Sequence, residues 1–244
     1  ILVSEVNLAR HSNYFKKYFK WYDKDVAILP FVPHEKFICH TDYQLRNNMA
    51  VATGTIAFHS NDKEFIGFFN SSALHPGRED IFNNSTLING FIDSHISDEN
   101  RTTQANTING YEKMLRRIKK SVSLILRLGK HCINKEYTEY NEAGRDYYKF
   151  DIVDLYNQYK MVVIPEECID MPGIGFVEAM ACGCAYIGIE HAMYKDIGLI
   201  AGQNYITYNG TIENLIEVIK YYQQNNDELS VIALNGKKYV RKHF

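Results

Sequence analysis

Residues 160–190 read KMVVIPEECIDMPGIGFVEAMACGCAYIGIE, and the rest of the chain is arranged around them. Met161, Val162, Val163 and Ile164 form a short apolar run that ends at Pro165. A run without polar alternation predicts a strand covered on both faces, as in a parallel sheet. A loop follows, with acids at Glu166, Glu167 and Asp170 and glycines at Gly173 and Gly175. Phe176 to Cys182 has the character of a short helix, with Gly183 as its C-terminal stop. A second apolar run, Ala185 to Ile189, completes a strand–loop–helix–strand unit.

In such a unit the loop and helix start lie at the carboxyl end of the strand, where open α/β sheets bind ligands. A helix N-terminus offers unpaired N–H groups and a partial positive charge, which suit a phosphate. Gly173 and Gly175 would let the backbone approach that anion, because no Cβ intervenes. Glu178 falls in the first helical turn, from where a carboxylate can accept hydrogen bonds from a ribose diol. Asp170 stands at the outer end of the loop, with seven residues between it and Glu178. A diphosphate flanked by two hydroxyl-binding carboxylates is the shape of a nucleotide-sugar site. Taken singly, Glu178 also reads as a first-turn acid favoured by the helix dipole, and Asp170 as a solvated loop acid.

The same residues carry a resemblance. Asp170-x7-Glu178, followed by Ala179-Met180-Ala181-Cys182-Gly183 and an apolar strand, resembles the acid-x7-Glu signature of retaining GT-B glycosyltransferases, family 4 especially. That family usually has Glu-Gly-Phe-Gly where this chain has Asp170-Met171-Pro172-Gly173. The resemblance implies a C-terminal nucleotide-sugar donor-binding domain: an α/β, Rossmann-like parallel sheet with helices on both faces. It gives Asp170, the catalytic candidate, the donor sugar's hydroxyls, and Glu178 the ribose. Amides at Gly173, Ile174, Gly175 and Phe176 would meet the diphosphate.

Asn48 to Phe58, NMAVATGTIAF, resembles the first strand of that domain, with Gly54 as the glycine facing the diphosphate. The family's usual Gly-Arg is absent, since Thr55 follows. Lys63 and Arg78, the latter in HPGRED, are the candidates for neutralising the leaving group. Arg78 is preferred because a guanidinium presents a planar fork of donors. A solvated surface charge is the ordinary alternative for either residue.

The resemblance further implies transfer of a sugar from a nucleotide-diphosphate-sugar donor, with retention, to a glycan, polysaccharide or lipid-linked acceptor. It implies no metal and no cofactor, the nucleotide sugar being a substrate. Residues 1–33 would then be a remnant of an N-terminal acceptor domain with its linker, and 34–244 the donor domain. The alternative is that 1–33 form an edge of one domain. Alternative functions are a non-catalytic nucleotide- or nucleotide-sugar-binding module, or another GT-B enzyme such as an epimerase.

Composition narrows the classes. With 244 residues and 45% hydrophobic content, the chain can bury a full core. A net charge of −2 gives no electrostatic case for nucleic acid. No apolar run is long enough to span a bilayer. Five cysteines, Cys39, Cys132, Cys168, Cys182 and Cys184, form no C-x2-C pair. That pattern argues for a reducing, cytoplasmic setting and against a structural zinc site.

Elsewhere, Ile1 to Leu8 and Asp25 to Pro33 read as strands, and Tyr14 to Tyr22 has a helical period of aromatics. A short helix is predicted near 86–93, followed by a mobile loop. Tyr111 to His131 is a predicted helix with an opposite face of Lys113, Arg116, Arg117, Lys119 and Lys120. That face is either solvated or a peripheral contact with the inner face of an anionic membrane. Tyr147 to Ile152 reads as a strand, with Asp151 as N-cap of the next helix. Phe150 and Asp151 are candidates for a nucleobase contact by resemblance. Asn204 to Tyr208 reads as a strand, and helices at Ile212–Gln223 and Asp227–Phe244 close the chain.

Overall fold

A computed structural model describes residues 2–56, 60–98, 150–168 and 171–244. Asp170 and the predicted basic helix at 111–131 lie outside the described residues.

The chain opens with β1 (Val3–Ser4), α1 (Leu8–His11), α2 (Asn13–Tyr18) and β2 (Ala27–Ile28). β1 and β2 pair in parallel, and both are shorter than predicted. Asn7 ends the first, its side chain accepting the amide of Arg10 to start α1. Pro30 and Pro33 lack the amides that would extend the second. This N-terminal segment packs onto the body of the fold. Val6 joins the core, and the His11 imidazole lies 2.7 Å from the Asp196 carboxylate.

Next come β3 (Asn47–Ile56), α3 (Lys63–Phe69), α4 (Pro76–Asn83) and β4 (Ile92–Asp98). β4 corrects the sequence reading, which put a helix near 86–93 and a loop beyond it. Residues 92–98 pair in parallel with β3, from Ala50↔Ile92 to Ile56↔Asp98. Two positions carry the strand's apolar face. Ile92 and Ile96 are buried, while the intervening polar residues hid the period.

The remaining elements are α5 (Ile152–Gln158), β5 (Tyr159–Val163), α6 (Gly175–Ala181), β6 (Ala185–Ile189), α7 (Ala192–Asp196) and β7 (Ile206–Tyr208). Two helices, α8 (Ile212–Gln224) and α9 (Asn226–His243), close the chain. Of the strand predicted at 147–152, the described part is no strand: Phe150 lies in a bend and Ile152 opens α5. Asp151 is the N-cap, its carboxylate accepting the amides of Val153 at 2.8 Å and Asp154 at 3.3 Å. That local competition for the backbone favours a helix start over a strand.

The main sheet has the order β4-β3-β5-β6-β7, every pairing parallel. Alternate residues feed two cores. Val51, Val162 and Tyr186 pack with α5, α6 and α7 on one face. Ala50, Ala52, Met161, Val163, Ala185 and Ile187 pack with α4 and α8 on the other. The helix α9 serves both, through Leu229 and Ile232 at one end and Val240 at the other. The burial of all five β5 residues explains its unbroken apolar run. The chain leaves β3 for β4 on one side and returns to β5 on the other. That reversal is a topological switch point, and it opens a crevice at the carboxyl ends of β3 and β5.

One buried cation ties the crossing segment to this frame. Arg46, just before β3, is 4% exposed. Its Nη2 donates to the carbonyls of Cys182 at 2.9 Å and Thr41 at 3.1 Å and to Asn157 Oδ1 at 3.1 Å. Its Nη1 reaches the carbonyl of Tyr159 at 3.5 Å. Cys182 caps the C-terminus of α6, where the helix dipole is negative and a cation is favoured.

Candidate functional site

The three loop acids after β5 have different surroundings. Glu166 turns inward and is 8% exposed. One of its oxygens accepts from the hydroxyls of Tyr186, at 3.1 Å, and Tyr194, and from the amide of Ile189 at 3.2 Å. Burial raises its pKa, against the pull of those donors. Glu166 is therefore a buried support beneath the loop. Glu167 faces the crevice, and its amide bonds to the Met171 carbonyl at 2.9 Å. Asp170, the catalytic candidate, lies outside the described residues.

Beyond the loop the chain enters α6. The amides of Phe176 and Val177 close the first turn on the carbonyls of Gly173 and Ile174. The Phe176 ring is buried against Tyr186 and Tyr194, and Phe176 is not among the residues that line the crevice. Gly173, Ile174 and Gly175 line the crevice, and so does Glu178, one turn in. Burial raises the pKa of Glu178, while the nearby charge of Lys36 opposes the shift.

At the end of β3, Gly54 has φ +137°, a conformation that residues with a Cβ rarely adopt. A Cβ there would fall 2.8 Å from the Cζ and Nε of Arg78. Arg78 leaves the first turn of α4 and lies across this glycine, its Nη1 donating to the Thr55 carbonyl at 3.1 Å. Its Nη2 is 3.4 Å from where a Cβ at Gly173 would sit. One guanidinium thus spans the two loops. Gly54→Ala is expected to cost about 1–3 kcal/mol of stability through its φ and to displace Arg78. Denaturant unfolding followed by a nucleotide titration checks both effects. Lys63 is elsewhere: it begins α3, is exposed, and does not line the crevice.

The crevice has a volume of about 450 Å³. Into it converge Thr53, Gly54, Thr55 and Arg78 from one side, Glu167, Gly173, Ile174, Gly175 and Glu178 from the other, and Phe31 from the N-terminal segment. His75 also lines it, with Nε2 3.4 Å from Glu167 Oε1. Sequence reasoning passes over His75, although it immediately precedes the Pro-Gly-Arg that contains Arg78. Its position as N-cap residue of α4 is the signal that could have found it. A cation, glycine backbone and a carboxylate around one concave surface can hold an anion and an adjacent hydroxyl-bearing group together.

The family model described as glycosyl transferase-like matches residues 101–244. The chain belongs to that family. Its parallel sheet with helices on both faces is that of a GT-B C-terminal, Rossmann-like domain. Among solved structures, it is similar to a sucrose-phosphate synthase from Thermosynechococcus elongatus, with a TM-score of 0.56 and 15% identity. The similarity covers 99% of this chain and 53% of that one. A glycosyltransferase from Rickettsia africae ESF-5 is similar with a TM-score of 0.51 and 12% identity, over 99% of this chain and 58% of that one. This member of the glycosyl transferase-like family thus spans little more than half the length of either structure. Comparison with curated proteins finds no match.

Proposed function

We propose that this glycosyl transferase-like chain binds a nucleotide-diphosphate-sugar donor and takes part in transferring the sugar, with retention and without a metal, to a glycan, polysaccharide or lipid-linked acceptor. The observation that carries this reading is the position of Arg78 against both Gly54 and Gly173, on the same crevice as Glu178. Two glycine backbones and a forked cation describe a diphosphate seat, and a first-turn carboxylate beside it suits the ribose diol.

In this reading Arg78 and the amides of Gly173, Ile174 and Gly175 receive the negative charge that grows on the diphosphate as the glycosidic bond lengthens. Donors held in place before the reaction stabilise that charge without reorganising. Gly54, Gly173, Ile174 and Gly175 supply close backbone approach. Glu178 fixes the nucleoside end, and Asp170 remains the candidate for the sugar's hydroxyls, from its position in the motif. Lys63, exposed on α3, is the weaker of the two cation candidates.

The test is calorimetric titration with UDP, GDP, ADP and their sugars. One nucleotide family is expected to bind, and Arg78→Ala to weaken its diphosphate by about 2 kcal/mol, roughly thirtyfold, as loss of a charge-assisted contact. Arg78→Lys keeps the charge without the fork and is expected to fall between. Diphosphate binding unchanged in Arg78→Ala would remove the proposed seat. Binding with no sugar transfer to any acceptor would instead make the chain a nucleotide-sugar-binding module.

A further inference from the structure

His75 belongs to the same turn as Arg78 yet has no part in the seat just described. It is the N-cap residue of α4, whose carbonyl accepts the amides of Arg78 at 3.1 Å and Glu79 at 3.2 Å. Its side chain does not cap the helix. The residue is 8% exposed, and it lines the crevice. On one side, Nε2 faces Glu167 at 3.4 Å. On the other, Nδ1 is buried and has no hydrogen-bond partner among the described residues.

A covered nitrogen without a partner is costly, and in a native structure its presence calls for a reason, an absent ion or ligand among them. The surroundings narrow the choice. Glu167 is held by its amide bond to Met171, and the neighbouring Cys168 amide bonds to the Leu74 carbonyl at 2.8 Å, next to His75 itself. The loop is therefore fastened to the residue just before the imidazole. A doubly protonated imidazole donates from both nitrogens. When both nitrogens carry a proton, Nε2–H is directed at Glu167, and the Nδ1–H is left without an acceptor among the described residues, beside the crevice that Arg78 also lines. A contact of 3.4 Å to Glu167 is long for a hydrogen bond.

We propose that His75 is a second donor, beside Arg78, to the terminal phosphate of the nucleoside diphosphate. This rests on the donor-site reading above and adds the group that distinguishes a diphosphate from a monophosphate. The partner on the ligand is an anionic oxygen, and Glu167 holds the far nitrogen.

The experiment compares His75→Gln, His75→Asn and Arg78→Ala with the unaltered chain, by calorimetry with UDP, GDP and ADP and the three monophosphates. Glutamine sets its amide near the place of Nε2, so it keeps the hold on Glu167 and loses the Nδ1 donor. Asparagine does the reverse. His75→Gln is expected to weaken the bound diphosphate about tenfold and its monophosphate less than about twofold. His75→Asn is expected to lose less on the diphosphate than His75→Gln. Equal losses on mono- and diphosphate, which a purely structural tie between helix and loop would give, overturn the proposal. So does diphosphate binding in His75→Gln equal to that of the unaltered chain while Arg78→Ala is weakened. If no nucleotide binds the unaltered chain, or if Arg78→Ala leaves the diphosphate untouched, the donor-site reading itself falls and takes His75 with it.

Discussion

Glu178→Ala is expected to weaken binding of the favoured nucleoside diphosphate by about 3 kcal/mol, roughly a hundredfold in Kd. The carboxylate stands one turn into α6, lines the crevice and is partly withdrawn from water. A ribose diol would give it two charge-assisted hydrogen bonds, and these are about twice as strong as neutral ones. The effect should depend on the ribose. The 2′,3′-dideoxy form of the same nucleotide should bind the unaltered chain and Glu178→Ala alike. A hundredfold difference that persisted with the dideoxy nucleotide would assign Glu178 to something other than the diol.

The same group predicts a pH dependence. Burial raises the pKa of Glu178. Its carboxylate therefore takes up a proton at a higher pH than an ordinary glutamate on acidification, and a protonated carboxyl no longer accepts from both hydroxyls. Nucleotide affinity is expected to fall as pH drops towards that raised value. In Glu178→Gln this component should be absent, leaving the ligand's own phosphate titration as the remaining slope. The stability sign is opposite. A carboxyl with a raised folded-state pKa destabilises the native state once it is ionised, so Glu178→Gln should unfold at the same temperature as the unaltered chain or slightly higher at neutral pH. Weaker binding without lost stability would separate a ligand contact from a structural acid.

How much of this was legible in the sequence depends on where each residue's partners lie. β5 and β6 could be read because burial on both faces leaves an apolar run whatever the register. The packing face of α8 could be read because Leu215, Val218, Ile219 and Tyr222 recur at the helical period; three are buried, and Val218 packs partly buried against the same core. β4 could not. Its sequence, IDSHISD, has two apolar residues among seven, and its strand character comes from pairing with β3 over that whole length. Propensity gives way to tertiary pairing there. In the candidate site, the acidic loop and α6 announce themselves within one continuous stretch. The approach of Arg78 to Gly54 and Gly173 joins three separate segments, and only the preference for a forked cation hinted at it. His75 was hidden for a different reason. Its place before Pro76 hinted only at a helix start; its interest lies in a nitrogen that lacks a partner among the described residues, which no spacing rule can register.

Arg46 is the extreme case of a residue whose sequence context is silent, and its replacement carries the second large prediction. Arg46→Met is expected to lower unfolding free energy by about 3 kcal/mol, which for a chain of this size is roughly 6–12 °C in Tm. Two effects compete. Burying a guanidinium is costly, and methionine of similar length removes that cost. Replacing a buried charge by an apolar group is nearly neutral, however, only where its partners are replaced as well. Here they remain. The carbonyls of Cys182, Tyr159 and Thr41 would be left in a covered site without this donor, while Asn157 Oδ1 keeps the amides of His40 at 2.9 Å and Thr41 at 3.3 Å. The stranded carbonyls outweigh the relieved charge, so destabilisation wins. Arg46→Lys keeps a cation at the C-terminus of α6 but cannot serve carbonyls on three segments at once, and it should recover less than half of the loss. Because Arg46 holds the Cys182 carbonyl at the end of the helix that carries Glu178, Arg46→Met should also blunt nucleotide binding at temperatures well below its Tm. A Tm within about 2 °C of the unaltered chain would mean that other donors replace the guanidinium, and would reduce Arg46 from a fastening of the crevice to a passenger of the core.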